Sequence, residues 1–418
     1  MSNPNSYRRY VLFTLMAVYA FNFIDRQLLV ILQESIKKEL LLSDTQLGLL
    51  TGFTFAMFYV TLGIPIARFA DKSNRKNIIA ISLTLWSGLT ALTGLATNFV
   101  QLVIARIGVG IGEAGCSPQS HAIISDYYPE EKRATALSIY SIGIYVGIFV
   151  GYLGGGILNQ YYGWRISFFA MGMPGILLAI LLYFTVKEPV RGASDTTKKI
   201  NDAQSFGQVT RYIFSKRSFV YLSLGSGFMA FISYGIGNWL PPFFFRYHGM
   251  SSQNIGIANA LIVGVGGGLG TFAGGYLGDH FGRVSKKWYL WIPMICALAA
   301  IPLSFAAIFS PQKEWVFALL ISATLLNATY LAPSIAVAHS LVPAHMRAVT
   351  SSVLFFILNI IGLGGGPLVV GMLSDAFAPS VGAQSLQYAL ACIVFVGLIG
   401  SLLYFLAGKN LAQDMEEN

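Results

Sequence analysis

The sequence predicts an all-α membrane protein, with twelve transmembrane helices in two pseudo-symmetric six-helix halves. Three observations predict it. The chain has 418 residues, of which 55% are hydrophobic and only 11% charged, whereas roughly a quarter of a soluble domain is charged. One crossing takes about 20 apolar residues, each adding about 1.5 Å across a layer of about 30 Å. Runs of that kind follow one another along the chain, and motifs of its first half recur in its second.

The runs lie near 10–33, 44–70, 77–96, 99–125, 132–160, 166–187, 217–247, 252–280, 286–309, 314–341, 346–373 and 385–408. They are spans 1 to 12, and they leave little chain for a soluble domain. The longest polar interruption, 188–216, contains EPVRGASDTTKKINDAQS and reads as a cytoplasmic linker. It separates an N-terminal half, 1–187, from a C-terminal half, 217–410, which a short cytoplasmic tail, 411–418, follows. ARFADKSNRK (Ala67–Lys76) aligns with GYLGDHFGRV (Gly275–Val284) at an offset of 208. Pro118, Pro129 and Arg133 align with Pro333, Pro343 and Arg347, and glycine clusters follow in both copies. Repeated six-span halves are a common transporter plan, with a substrate site between them near the midplane.

The net charge of +9 is explained by topology, since cytoplasmic loops collect Lys and Arg. With the N-terminus inside the cell, 20 of the 27 basic residues are cytoplasmic and 5 are external; Arg26 and Arg106 lie within spans. The expectation is a multi-pass protein of a bacterial inner membrane, both termini cytoplasmic, with no nucleic-acid partner. Cys116, Cys296 and Cys392 fall in spans without metal-like spacing, so neither a disulfide framework nor a metal site is expected. No cleavable signal is read at the N-terminus.

A loop signature follows spans 2 and 8. Asp71 precedes Asn74-Arg75-Lys76, and Asp279 precedes Gly282-Arg283. An acid at a helix end facing basic residues pairs across a short turn and holds neighbouring helices together. A positively charged loop with an incidental acid is the plainer alternative; two equivalent copies favour a conformational latch of Asp71, Arg75, Asp279 and Arg283. These loops, with Leu102-x-x-x-Arg106 on span 4 and Gly366-Pro367 on span 11, resemble the major facilitator superfamily. Asn22-Phe-Ile-Asp25-Arg26, Asn74-Arg75-Lys76, Arg106-Ile-Gly-Val-Gly-Ile-Gly-Glu113-Ala114, Arg133-x-x-x-Leu137-Ser138-Ile139-Tyr140 and Gly163-Trp164-Arg165 resemble its spinster family. Lys72 stands where that family has Arg, and Ala67 where the motif opens with Gly. The resemblance implies a secondary carrier of amphipathic lipids, such as lysophospholipids or sphingoid phosphates.

Span 1 holds an acid and a base side by side, Asp25 and Arg26. A charged group at mid-membrane costs about 2.5–3.5 kcal/mol on insertion scales. Residues i and i+1 do not face one another on a helix, so both need partners elsewhere. On span 4, Arg106 and Glu113 are seven apart and share a face. The expected network joins Asp25 to Arg106 and Arg26 to Glu113 around a water-filled cavity, with Asn22 and Tyr140 beside it. A purely structural pair of salt bridges is the alternative, but buried ion pairs stabilise poorly compared with apolar packing. A carboxylate in such a cavity exchanges protons near neutrality, and an Arg takes a phosphate through two parallel bonds. Protonation of Asp25 or Glu113 is therefore expected to free an Arg for an anionic headgroup.

In the second half the equivalent places carry Asn238 and Asn327, with Trp239 and Tyr330 nearby. Neutral polar and aromatic groups there suit the tail of an amphiphile. Equally, Trp239 and Phe243–Phe245 read as an interfacial aromatic belt. GIGEAG (Gly110–Gly115) fits a dinucleotide pattern but lies within a span, where small residues pack helices. His121 and His339 are read as packed residues rather than proton relays. The expected function is proton-coupled transport of an amphipathic lipid by alternating access, by a monomer, with protons and membrane lipids as partners and no cofactor. The alternatives are a carrier of small organic anions or drugs and a non-transporting sensor; an enzyme is not expected.

Overall fold

The computed structural model describes residues 4–70, 73–191 and 206–416, and the regular elements among them are helical. Among the described residues, nine stretches are long and apolar enough to cross a membrane. Two of these, Thr135–Thr185 and Arg347–Met415, have 51 and 69 residues, too many for one crossing. Each is two spans broken at a glycine of positive φ: Gly163 (φ 79°, ψ 168°) between spans 5 and 6, and Gly382 (φ 57°) between spans 11 and 12. Span 3 is the further helix Arg75–Thr93. The twelve expected spans are thereby accounted for.

The described residues form two units. The first contains the residues up to Leu42, Thr54 to Arg191, and Met250–Ala260; the second contains Ser43–Phe53, Phe206–Gly249 and Leu261 onward. The division follows the two sequence halves except at two strips. The first turns of span 2 (Ser43–Phe53) belong to the second unit, and those of span 8 (Met250–Ala260) to the first. Each of these helices contains a π-helical segment where it changes unit, Leu49–Phe53 in span 2 and Ala260–Gly266 in span 8. A widened turn of this kind marks a break in regular α-helical bonding.

In each sequence half the end where its first span begins is here called the inner end. The internal repeat reaches down to single caps and turns. Ser43 accepts the Gln46 N–H at 3.1 Å, and Ser251 accepts the Asn254 N–H at 3.3 Å. The residue before each cap region turns the chain with positive φ, Leu41 (54°) in one copy and Gly249 (57°) in the other. Both relations keep the offset of 208.

Spans 1 and 5 approach closely in the first unit. Gly143, Gly147, Gly151 and Gly155 lie against Met16, Ala20, Ile24 and Ile31 of span 1, backbone to backbone at Met16, Ala20 and Ile24. Side-chain-free packing of this sort lets membrane helices meet without a hydrophobic driving force. It fixes span 1 on both sides of Asp25. In the second unit the segment read as linker contains a helix, Phe206–Ser215, whose Val209 and Ile213 pack into a core with Phe219, Leu222, Leu354 and Tyr404. Asp414 of the C-terminal segment accepts the Ser218 N–H at 2.6 Å. It caps the start of span 7, where Lys216 supplies no side-chain cap.

Candidate functional site

Span 1 (Pro4–Leu40) and the outer part of span 4 (Phe99–Ala114) carry Asp25, Arg26, Arg106 and Glu113. Arg26 Nε donates to Glu113 Oε2 at 2.8 Å. Glu113 is fully enclosed, and the Arg26 side chain retains 12% exposure. Three rings face the Arg26 guanidinium: Phe23 at 5.0 Å, Phe55 at 4.6 Å and Tyr59 at 4.8 Å from the ring centroids. Arg106 also lies over Phe55, 5.0 Å from its centroid. A guanidinium over an aromatic face is attracted by the ring quadrupole, by about 0.5–2 kcal/mol. The arrangement holds two cations close together in a low-dielectric place.

Asp25 departs from expectation. It is 1% exposed, and neither carboxylate oxygen has a hydrogen-bond partner, so the expected direct bond to Arg106 is not made. Its neighbours are Glu113, Arg106 and Arg26, with the Thr90 hydroxyl of span 3 beside it. Steric reach explains the difference: Arg26 takes the Glu113 carboxylate, and the Arg106 guanidinium turns to Phe55. Asn22 is beside Glu113, one turn before Arg26, and neither atom of its amide makes a hydrogen bond. Glu113 Oε1 and the Tyr140 hydroxyl are likewise unbonded. Buried polar groups are nearly always paired, so this concentration of unsatisfied atoms marks a place built for something other than stability. The expected wet hollow around all four charges is a correction, since Asp25, Arg106 and Glu113 are buried in this conformation.

Tyr140 is fully buried and stacks on Tyr19, with centroids 4.5 Å apart and planes at 5°. His121 meets its edge at 5.2 Å, as a packed residue. His339 pairs with Ser351 at 2.6 Å.

In the second unit, Asn238 donates to the Thr51 carbonyl at 3.4 Å. Trp239 is 0% exposed, and its Nε1 donates to the Pro367 carbonyl at 2.9 Å. With Phe243 and Phe244 also buried, the aromatic-belt reading fails for these three. Tyr330 packs into the core cluster of the second unit. Asn327 is half-buried and borders a small void beside Ile232, Ile301 and Ser304.

The latch residues find partners that the sequence reading did not name. Asp71 lies outside the described residues. Arg75 donates from Nε to Glu188 at 2.7 Å, from Nη1 to Asp126 at 2.7 Å, and from Nη2 to the Pro189 carbonyl at 3.3 Å. Glu188 also accepts the Lys76 N–H at 2.9 Å. Arg191 reaches back to the carbonyls of Ala70 and Ser73 at 3.1 and 2.6 Å. The chain leaving span 6 thus straps the turn between spans 2 and 3. In the second copy Asp279 accepts from the Tyr289 hydroxyl at 2.9 Å, and Arg283 is exposed.

Phe55, Tyr59 and Thr90 are site residues that sequence reasoning missed. An aromatic pair four apart in an apolar run carries no signal against ordinary packing, and a lone Thr carries none at all.

Comparison with known proteins bears on this arrangement. Residues 15–367 match the Major Facilitator Superfamily. The chain is 34% identical over 404 residues to an MFS-type efflux pump of Mycolicibacterium smegmatis, covering 96% of this chain and 93% of that one. It is 27% identical over 429 residues to the sphingosine-1-phosphate transporter SPNS2 of Danio rerio, covering 95% and 83%. Its structure matches that of a bacterial homologue of the human lysosomal transporter Spinster, in an inward-facing and unoccupied conformation. The TM-score is 0.91 and the identity 35%, with 98% of each chain covered. These relatives are transporters rather than enzymes. The two paired loops, the charged groups on spans 1 and 4 and these likenesses converge: the chain is a membrane transporter of the Major Facilitator Superfamily and belongs to its spinster family.

Proposed function

We propose that the protein is a proton-coupled secondary transporter of an amphipathic lipid with an anionic headgroup. It works as a monomer by alternating access in a bacterial inner membrane, with both termini in the cytoplasm. The observation that carries this reading is the pairing of Arg26 with Glu113 beside Asp25, a buried carboxylate with no hydrogen bond. A proton taken by Asp25 or Glu113 weakens the hold of the carboxylates on Arg26. A guanidinium so released offers a fork of donors to a phosphate or phosphonate oxygen pair. Asn22, beside Glu113, supplies a further donor and acceptor. A relative bearing the name of a sphingosine-1-phosphate transporter supports the lipid class. The name of the efflux pump supports the second reading, a carrier of small organic anions or drugs.

The test is reconstitution in liposomes with labelled lysophospholipids, a sphingoid phosphate and a panel of organic anions, each with and without an imposed pH gradient. Lipid uptake accelerated by the gradient is the expected result. Uptake of anions alone replaces the reading with the second one, and lipid uptake indifferent to the gradient removes the proton.

A further inference from the structure

In the first unit, two guanidinium groups share one aromatic ring. Phe55 lies in the part of span 2 that belongs to this unit and is 0% exposed. The Arg26 guanidinium lies 4.6 Å from its centroid, and that of Arg106 lies 5.0 Å from it. The ring is held from two directions. Tyr59 stacks on it, with centroids 5.4 Å apart and planes at 18°. On span 4, Gly110 sits one turn beyond Arg106, and a Cβ there would meet the Phe55 carbonyl at 3.0 Å and the ring at 3.5 Å. The missing side chain at Gly110 thus lets span 2 close in and brings the ring up to Arg106.

Arg106 has two places to go, that ring and Asp25. Its charge acts on Asp25, yet neither Asp25 oxygen has a hydrogen-bond partner. The other groups around Asp25 do not settle the matter for it. Arg26, its neighbour on span 1, bonds Glu113. Glu113, from span 4, is itself an acid, and Thr90, from span 3, offers an uncharged hydroxyl. Span 5 meets this part of span 1 with Gly147 and Gly151. An ionised carboxylate in a low-dielectric place draws a guanidinium into a charge-assisted pair that a ring face cannot match. A protonated one has no charge to draw it with, and the ring quadrupole then decides. Arg106 over Phe55, with Asp25 unbonded, is the arrangement that suits a protonated Asp25.

We propose that Phe55 is a positioning residue for proton coupling, the resting place of Arg106 while Asp25 holds a proton. When Asp25 ionises, Arg106 leaves the ring and pairs with it. Arg26 lies over the same ring, so that departure also changes what holds Arg26, the group assigned to the anionic headgroup. One ring thereby links the proton to the cargo. The inference rests on the proton-coupled reading of Asp25 and not on the lipid.

Infrared spectra of the full chain in detergent, recorded without cargo from about pH 4 to 10, provide the test. The carboxylic-acid C=O band that disappears in Asp25→Asn reports the proton on Asp25. Phe55→Leu removes the ring and keeps an apolar side chain. It should lower the proton affinity of Asp25 about tenfold, read as a shift of the band's pH curve by about one unit towards acid. Phe55→Tyr keeps the ring face and should shift the curve less. Increasingly fluorinated phenylalanines at position 55 keep the size nearly constant and weaken the ring face in steps, so the curve should move in the same steps; this series decides where Phe55→Leu fails to fold. In Arg106→Gln protein the loss of the ring should have no effect, because no guanidinium remains to compete. Superimposable curves for parent and ring variants overturn the proposal, as does an equal shift in Arg106→Gln protein. A parent without an Asp25 band removes Asp25 as proton carrier and the inference with it, whereas a band indifferent to the ring removes the inference alone. No lipid enters the measurement, so neither result touches the choice of cargo.

Discussion

Arg26 and Glu113, 87 residues apart in sequence, meet at 2.8 Å across spans 1 and 4, while Asp25 next to Arg26 makes no hydrogen bond. One helix thus presents two adjacent ionisable groups in opposite states of satisfaction. The fold supplies the paired group with a counter-charge and three ring faces, and gives its neighbour only the Thr90 hydroxyl nearby. A structural salt bridge alone requires no such neighbour.

Removing one partner of the pair should be costly in two separable ways. Arg26→Ala leaves Glu113 enclosed without its partner, and truncating a buried pair typically costs about 3–5 kcal/mol. The double change Arg26→Gln with Glu113→Gln removes both charges and should recover most of that loss. Thermal unfolding in detergent checks this. In liposomes the double variant should remain inactive, because the guanidinium needed by an anionic headgroup is gone. A stable double variant that transports normally would assign the pair to structure alone.

Asp25→Asn should behave in the opposite manner. The native carboxylate has no hydrogen bond to lose, and the amide is nearly isosteric with its protonated form. The variant should be as stable as the parent or more so, by up to about 1 kcal/mol, since an unsatisfied buried charge is removed. Uptake should persist at a reduced rate and no longer respond to an imposed pH gradient. Rates measured with the gradient present and collapsed, for parent and variant together, decide it.

The spans and the Arg26–Glu113 pair were legible because both follow from periodicity: apolar runs of crossing length, and two charges seven apart on one helix face. The partner of Asp25 was not, because reach and rotamer choice at Arg106 depend on Phe55, which no pattern ties to it. The partners of Arg75 lie 51 and 113 residues away, at Asp126 and Glu188, and a loop motif read locally points to its own acid instead. The π-helical segments have no compositional mark beyond glycine, which is frequent throughout this chain.

Arg75→Ala should uncouple the strap formed by Lys187–Arg191. Arg75 spans two carboxylates from different elements with two different nitrogens. Lys carries a single point charge and cannot reproduce that fork. Stability should therefore fall by about 3 kcal/mol in Arg75→Ala, with Arg75→Lys recovering less than half of it. Cleavage by protease after Lys187 or Arg191 should become faster in the same order. Equal stability of Lys and Arg at this position would count against bridging.

Gly147→Val tests whether close helix approach places the charged site. A Cβ at residue 147 meets the Ala20 carbonyl and the Phe23 side chain, so span 1 must move outward. Phe23 is one of the three rings on Arg26. The variant should lose most of its transport, while Gly237→Val should not: residue 237 has no neighbouring atom within 4 Å of an added Cβ. Comparable activity in the two variants would show that the site tolerates displacement of span 1.

Leu41 provides a stabilising change away from the site. Its φ of 54° is left-handed, a conformation that costs an L side chain roughly 1–2 kcal/mol. The side chain is 89% exposed, so little packing offsets that cost. The second copy of the repeat places Gly249 at the same turn, which shows that the geometry belongs to the fold and not to leucine. Leu41→Gly should raise stability by about 0.5–1 kcal/mol after the extra backbone freedom of glycine in the unfolded chain is counted. Leu41→Ala retains a Cβ and should give no gain, and Gly249→Leu should lose what Leu41→Gly wins. Melting curves of the three variants in one detergent separate backbone strain from loss of an exposed apolar group, since the alanine variant also removes the exposed side chain.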